Sequence, residues 1–165
     1  MQLLEVIKNR YSCRKFLDRP IPKELIEKLI DAGRFAPTAR NIQPWEFIVI
    51  TDKENLKKIG AITSPNGSFI KDCACCIAVF CQDTKYYLED GCAATENILL
   101  TAYDLGLGSC WVAGDKKPYV EEIRKLLSVP DNFRLVSLIA LGYPSEDKPK
   151  RAKRELKELI HWEKF

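Results

Sequence analysis

Histidine is almost missing from this chain: His161 is the single one in 165 residues, and it lies beside Trp162 in the terminal segment. That scarcity argues against His-dependent nucleophilic triads and against metal sites built from several imidazoles. Long apolar runs are also lacking. No stretch approaches the roughly 18 uninterrupted residues that a membrane-spanning helix needs. Excess charge of one sign is small, since 26 basic residues face 23 acidic ones for a net charge of +3. A nearly balanced chain carries no bulk electrostatic footprint for nucleic acid. The first residues, Met1-Gln2-Leu3-Leu4-Glu5, lack a basic start followed by an apolar core, so export is not expected and a cytoplasmic protein is. No P-loop occurs. Gly106-Leu107-Gly108 superficially matches a dinucleotide fingerprint, but it follows a helical pattern and precedes a strand, the reverse of what that motif requires.

Cysteine, in contrast, is abundant. The seven are Cys13, Cys73, Cys75, Cys76, Cys81, Cys92 and Cys110. An odd number in an intracellular setting disfavours a disulfide framework and favours free thiols. Cys73-Ala74-Cys75-Cys76 invites a reading as a metal or iron–sulfur site. The adjacent and alternate spacing is not the usual two-residue interval, and the run opens a continuous apolar segment in which buried free thiols are common.

With 46% apolar residues, the chain can form a single domain over residues 1–165 around a real core. Leu3, Leu4, Val6 and Ile7 predict a short helix ending near Asn9. Pro22 is placed to open a second helix, in which Leu25, Ile26, Leu29 and Ile30 share one face and Gly33 is the expected terminator. Glu46 to Thr51 reads as a strand, with Asp52 capping the helix after it. Ile62 to Ser68 holds Pro65, Asn66 and Gly67 and reads as a loop. Cys75 to Cys81 predicts a strand covered on both faces. Tyr86 to Leu105 is the longest helix, closed by Gly106, and its small run Gly91-Cys92-Ala93-Ala94 permits a close approach. A short strand at Trp111–Val112, a helix over Tyr119 to Leu127, a strand over Leu135 to Leu141 and a terminal helix complete the pattern. Strands alternating with helices give an α/β or α+β class; the order of the strands is not readable from pattern.

The candidate site begins at Arg10-Tyr11-Ser12-Cys13-Arg14. In an extended chain Arg10, Ser12 and Arg14 point to one face. Two guanidiniums and a hydroxyl there match a phosphomonoester, because each guanidinium offers a fixed fork of donors and stays charged. A solvated basic edge is the plain alternative. Arg151 and Lys153 form a second alternate basic pair, in a run where Lys150 and Arg154 leave the register open by one residue. Between them, Pro37-Thr38-Ala39-Arg40-Asn41 is a loop able to bring backbone close to a flat ligand. Gln43-Pro44-Trp45 would anchor it, with Trp45 packing inward. Asn66 could both donate to and accept from the edge of a heterocycle, or simply make a Pro-Asn-Gly turn.

Read together, R-Y-S-C-R-K-F, A-P-T-A-R-N-I-Q-P-W-E-F-I-V, Gly106 to Gly114, Leu141-Gly142-Tyr143-Pro144 and the basic tail resemble the FMN-dependent nitroreductase family, in order and spacing, from Val6 to Phe165. The resemblance implies a nitroreductase-like α+β fold with a central mixed sheet flanked by helices. It also implies an intertwined two-fold homodimer whose C-terminal segment reaches over the other subunit. FMN would lie at the interface. Arg10, Tyr11, Ser12, Arg14, Arg151 and Lys153 would hold its phosphate and ribityl end. Asn66 and the backbone of Val112, Ala113 and Gly114 would meet the ring. Pro37, Thr38, Ala39 and Asn41 would come from the partner, although Ala39 lacks the hydroxyl that many relatives carry there. NAD(P)H would reduce the flavin, and a small acceptor such as a nitroaromatic or quinone would reoxidise it, without nucleic-acid or membrane partners. No catalytic side chain is implied, since hydride transfer needs positioning above all. Two rivals stand: a flavin-binding module without reductase activity, and a cysteine-ligated metal or redox protein.

Overall fold

A strand apolar at nearly every position must be covered twice, and Cys75–Gln82 is so covered in the computed structural model of the chain, which describes residues 2–149 and 152–165. Side chains alternate across a strand. Here Cys75, Ile77, Val79 and Cys81 enter one apolar core, while Cys76, Ala78 and Phe80 enter another. This strand, β2, is central in a sheet ordered β1-β2-β4-β3, where β1 is Trp45–Ile50, β3 is Gly108–Ala113 and β4 is Phe133–Gly142. Helices α2 (Lys23–Arg34) and α4 (Tyr87–Asp104) cover the first face, through residues such as Leu29, Ile98 and Leu99. Helices α3 (Lys53–Ile62) and α5 (Val120–Leu126) cover the second, through Leu56, Ile59 and Ile123. Helix α1 (Leu3–Asn9) lies outside these layers, against α4. No helix among the described residues is long and apolar enough to cross a membrane.

Local chemistry explains the element ends. Asp52 accepts a hydrogen bond from Asn55 N at 2.9 Å, the expected cap of α3. Gly106, at φ 76°, closes α4: its N–H donates to Tyr103 O and the N–H of Leu107 to Ala102 O. Gly33 does not terminate α2, which runs on through Arg34. It sits where a Cβ would come within 3.0 Å of Ile98, so its small size serves helix packing. Gly91 brings α4 down onto the sheet, since a Cβ there would lie 2.6 Å from Val136.

All strand pairs of the sheet are antiparallel, where the resemblance implied a mixed sheet; the one parallel pairing among the described residues is an isolated bridge between Ser12 and Ser109. The register of β2 on β4 shifts between Val79 and Phe80, leaving Val136 as an extra residue. Val136 and Ser137 thereby both turn toward α4, and Ser137 Oγ reaches Thr95 Oγ1 at 2.8 Å inside the core. The expected terminal helix does not form among the described residues. Residues Leu156–Glu158 form only a 3₁₀ turn, and Leu156, Leu159 and Trp162 are exposed. A helix this short needs an apolar face to bury, and nothing in the described chain covers it.

Candidate functional site

After α1 the chain runs extended alongside the start of β3. Cys13 N donates to Ser109 O at 2.9 Å, and the Cys13 side chain is fully buried against Gly108, where any Cβ would lie 2.7 Å from Sγ. Burial pushes the Cys13 thiol above its ordinary pKa, so it stays protonated and donates to Lys15 O at 3.2 Å. With Cys13 turned in, Arg10, Ser12 and Arg14 are turned out. Tyr11 OH donates to Glu146 O at 3.1 Å and ties this segment to the start of the basic tail.

Two of the pockets that open along it gather most of the expected site residues. The smaller, of about 240 Å³, is lined by Lys8, Arg10, Tyr11, Ser12, Lys148, Pro149 and Lys153. Four of these are cations and none is a carboxylate. Cations from opposite ends of the chain therefore meet here. Arg10 Nε forms an ion pair with Glu96 Oε1 at 3.2 Å, yet the buried Nε–H makes no hydrogen bond among the described residues. A buried donor left unmatched is costly, and an anionic ligand would satisfy it. Lys148 escaped the sequence reading. Its ammonium donates to Lys8 O at 3.2 Å and to the side-chain Asn9 Oδ1 at 3.1 Å, a cation at the C-terminal end of α1. The only signal for it was membership of the same basic run. Arg151 lies outside the described residues.

The larger pocket, of about 510 Å³, is lined among others by Arg14, Asn66, Phe69, Trp111, Val112, Ala113 and Tyr119. Its volume falls within the range of roughly 300–1,000 Å³ typical of small-molecule sites. Arg14 stands over the Phe69 ring at 5.7 Å, and its Nη1 donates to Ser12 O at 3.3 Å. Tyr119 OH donates to Ala113 O, and burial raises its pKa, so the phenol stays a donor. Tyr87 OH donates to Asp115 Oδ1 at 2.7 Å, which lifts the phenol to about 12 and pins the turn after β3. Gly114 does not line the pocket. Its N–H is engaged by Val136 O at 3.1 Å, and a Cβ there would sit 2.8 Å from Leu135 O. Arg10, Ser12 and Lys153 thus share one pocket, and Arg14, Asn66, Val112 and Ala113 share the other. One extended segment joins them.

Pro37, Thr38, Ala39 and Asn41 line neither pocket of their own chain. Their loop is fastened to α4 by Asp90, a buried carboxylate that sequence reasoning missed. Asp90 accepts from Thr38 Oγ1 at 2.8 Å and from Ala39 N at 3.2 Å. Thr38 Oγ1 in turn accepts from Gln43 N at 3.2 Å, bridging the two ends of the loop. The four residues Cys73, Ala74, Cys75 and Cys76 belong to the core, and no group of three or more His, Cys, Asp or Glu among the described residues could hold a metal ion.

Fold and pockets together describe an α+β protein in which one extended segment joins an aromatic-lined pocket to a basic one. The family model of the nitroreductase family matches residues 7–80 and 81–143. The chain belongs to the nitroreductase family. A protein of Methanothermobacter thermautotrophicus, whose name pairs NADH dehydrogenase with NAD(P)H nitroreductase, is 39% identical over all of this chain and 88% of its own length. An FMN-dependent nitroreductase structure from Clostridium difficile R20291 superposes with a TM-score of 0.91 at 30% identity, covering 98% of this chain and 99% of that one. A nitroreductase structure in complex with FMN from Desulfovibrio desulfuricans superposes with a TM-score of 0.88 at 27% identity, covering 100% and 98% of the two chains.

Proposed function

We infer that the chain binds FMN across the two pockets and works as an oxidoreductase that takes electrons from NAD(P)H and delivers them to a small acceptor such as a nitroaromatic or quinone. The observation that carries this reading is the pairing of the pockets: a basic one with no carboxylate in its lining, where the buried Arg10 Nε–H makes no hydrogen bond, and an aromatic one with an amide, joined by Arg10 to Arg14. The donor set fits a phosphomonoester at one end and a planar heterocycle at the other.

Arg10, Ser12, Lys148 and Lys153 would hold the phosphate, with Tyr11 fixing the segment that carries two of them. When bound, the flavin would supply the hydride-transfer chemistry that no side chain here could. Asn66 would satisfy the pyrimidine edge. The Arg14 guanidinium, held over Phe69, puts positive charge beside the ring cavity, and Trp111 to Ala113 form the wall along which the ring would lie. Gly114 and Tyr119 keep that wall in place. A two-fold homodimer would bring the Pro37–Asn41 loop of a second copy to the ring. Exposed Phe35, Ile42 and Leu3 are apolar surface of the kind such an interface covers. The seven free thiols fit a reducing compartment such as the cytoplasm.

Purification tests the reading directly. The protein should be yellow, release about one FMN per chain and oxidise NAD(P)H in the presence of a quinone. Arg14→Glu should weaken flavin binding. A colourless protein that takes up no flavin on titration refutes it, and flavin uptake without turnover reduces it to flavin binding alone.

A further inference from the structure

Arg14 belongs to two hollows. On its other side from the ring cavity opens a wider one of about 650 Å³, with Arg14 and Lys15 on one wall, Lys53 and Lys57 on another and Lys71 on a third. Lys53 and Lys57 lie one turn apart on α3 and so share a face. Five cations thus meet two carboxylates around one depression. Lys15, Lys53 and Lys57 each have a carboxylate neighbour, at 3.6, 3.0 and 2.7 Å, but these pairs are exposed. Exposed pairs contribute little and exchange readily for a ligand of higher charge. Among the described residues Lys71 makes no ion pair, and the Arg14 guanidinium donates to the Ser12 carbonyl alone. Nothing assigned to FMN uses Lys15, Lys53, Lys57 or Lys71. A carboxylate offers two oxygens and one charge; a terminal phosphoryl group offers three oxygens and nearly two, and so can engage several ammoniums at once.

We propose that this basic hollow receives the terminal phosphoryl group on the adenosine ribose of NADPH, and that NADPH is therefore the preferred electron donor. The inference rests on the oxidoreductase reading above and deepens it. Arg14 lines both the ring cavity and this hollow, so a donor whose nicotinamide meets the ring has these lysines as its neighbouring basic surface. NADH, lacking that group, would leave the lysines with their present partners.

The test has two arms on the purified, flavin-loaded protein. Calorimetric titration compares 2′,5′-ADP with 5′-AMP, and steady-state kinetics compare NADPH with NADH in the wild type and in the double variant Lys57→Gln/Lys71→Gln. The expected results are binding of 2′,5′-ADP about tenfold tighter than that of 5′-AMP, and a fivefold to tenfold rise in KM for NADPH in the variant. Its kcat, its KM for NADH, its flavin content and its melting temperature should stay unchanged. Equal binding of the two nucleotides, or a KM change that is the same for both donors, overturns the proposal. The nucleotide titration needs no turnover, so failure of the oxidoreductase reading would show separately, as absence of oxidation of either donor.

Discussion

Asp90→Asn is the sharpest probe of how the loop at residues 37–43 is held. Three non-glycine residues of that loop, Arg40, Asn41 and Gln43, adopt left-handed backbone at φ 55°, 56° and 52°. Each costs on the order of 1 kcal/mol, Asn41 less, so the loop stores roughly 2–3 kcal/mol. What offsets this is the Asp90 carboxylate, 5% exposed, accepting from Thr38 Oγ1 and Ala39 N. Hydrogen bonds to a charged group contribute about 1.5–3 kcal/mol each, enough together to outweigh the strain. An asparagine keeps the shape but has one acceptor oxygen, and its amide would face either a hydroxyl that already serves Gln43 N or the Ala39 N–H. The loss should be about 2–3 kcal/mol, a fall in Tm of about 4–12 °C for a chain of this size. Thermal melts followed by circular dichroism measure it, with Glu122→Gln as an exposed carboxylate control. If the loop also serves the ring of a second copy, flavin should be retained less well by the variant at a temperature where both proteins are folded. A Tm within one degree of wild type would show that Asp90 does not hold the loop.

Two further outcomes follow from packing and from burial. Gly91→Ala replaces a poor helix former by the best one, worth about 0.5–1 kcal/mol, yet the new methyl would lie 2.6 Å from Val136 and 2.9 Å from Cys81 Sγ. Overpacking of this kind costs about 1–3 kcal/mol, so urea denaturation should show a net loss; a more stable variant would mean that α4 is free to back away from the sheet. Burial raises the thiols of Cys73 to about 11 and of Cys75 and Cys81 to about 12. Unfolded thiols ionise near 8.5, so the stability these groups contribute is complete below that pH and is lost as pH rises toward 11–12, by up to about 1.4 kcal/mol per unit for each thiol. Melting between pH 7 and 11 should show a plateau and then a steep decline, which replacement of Cys81 by Ala should make shallower; a flat profile would contradict the burial of these thiols.

Elements whose patterns depend on neighbours in sequence were legible in it. Cys75 to Cys81 announced a doubly covered strand, Asp52 a cap, and Gly106 a helix end, because each effect acts within one turn or one pleat. Gly33 was not, since its reason lies in Ile98, distant along the chain. The antiparallel pairing and the extra residue at Val136 depend on which strands meet, and hydrophobic pattern does not encode that. At the site, alternation correctly placed Arg10, Ser12 and Arg14 on one face. Sharing a face is not the same as sharing a pocket: over four extended residues the span is roughly 13 Å, so Arg10 and Arg14 serve different hollows. Asp90 was hidden because a single carboxylate within a helix looks solvated until the loop above it is placed. Lys148 was hidden because Pro149 breaks the regular alternation on which the reading of the tail relied.

The buried thiol at position 13 turns the stretch from Arg10 to Arg14 into a ruler with coarse graduations. One inserted residue would swap inside for outside, sending a cation toward Gly108 and the sulfur into solvent. Two would keep the sidedness and lengthen the gauge by about 6.6 Å. On the proposed cofactor assignment, this segment would match a longer tether by steps of two residues, since a step of one reverses its faces.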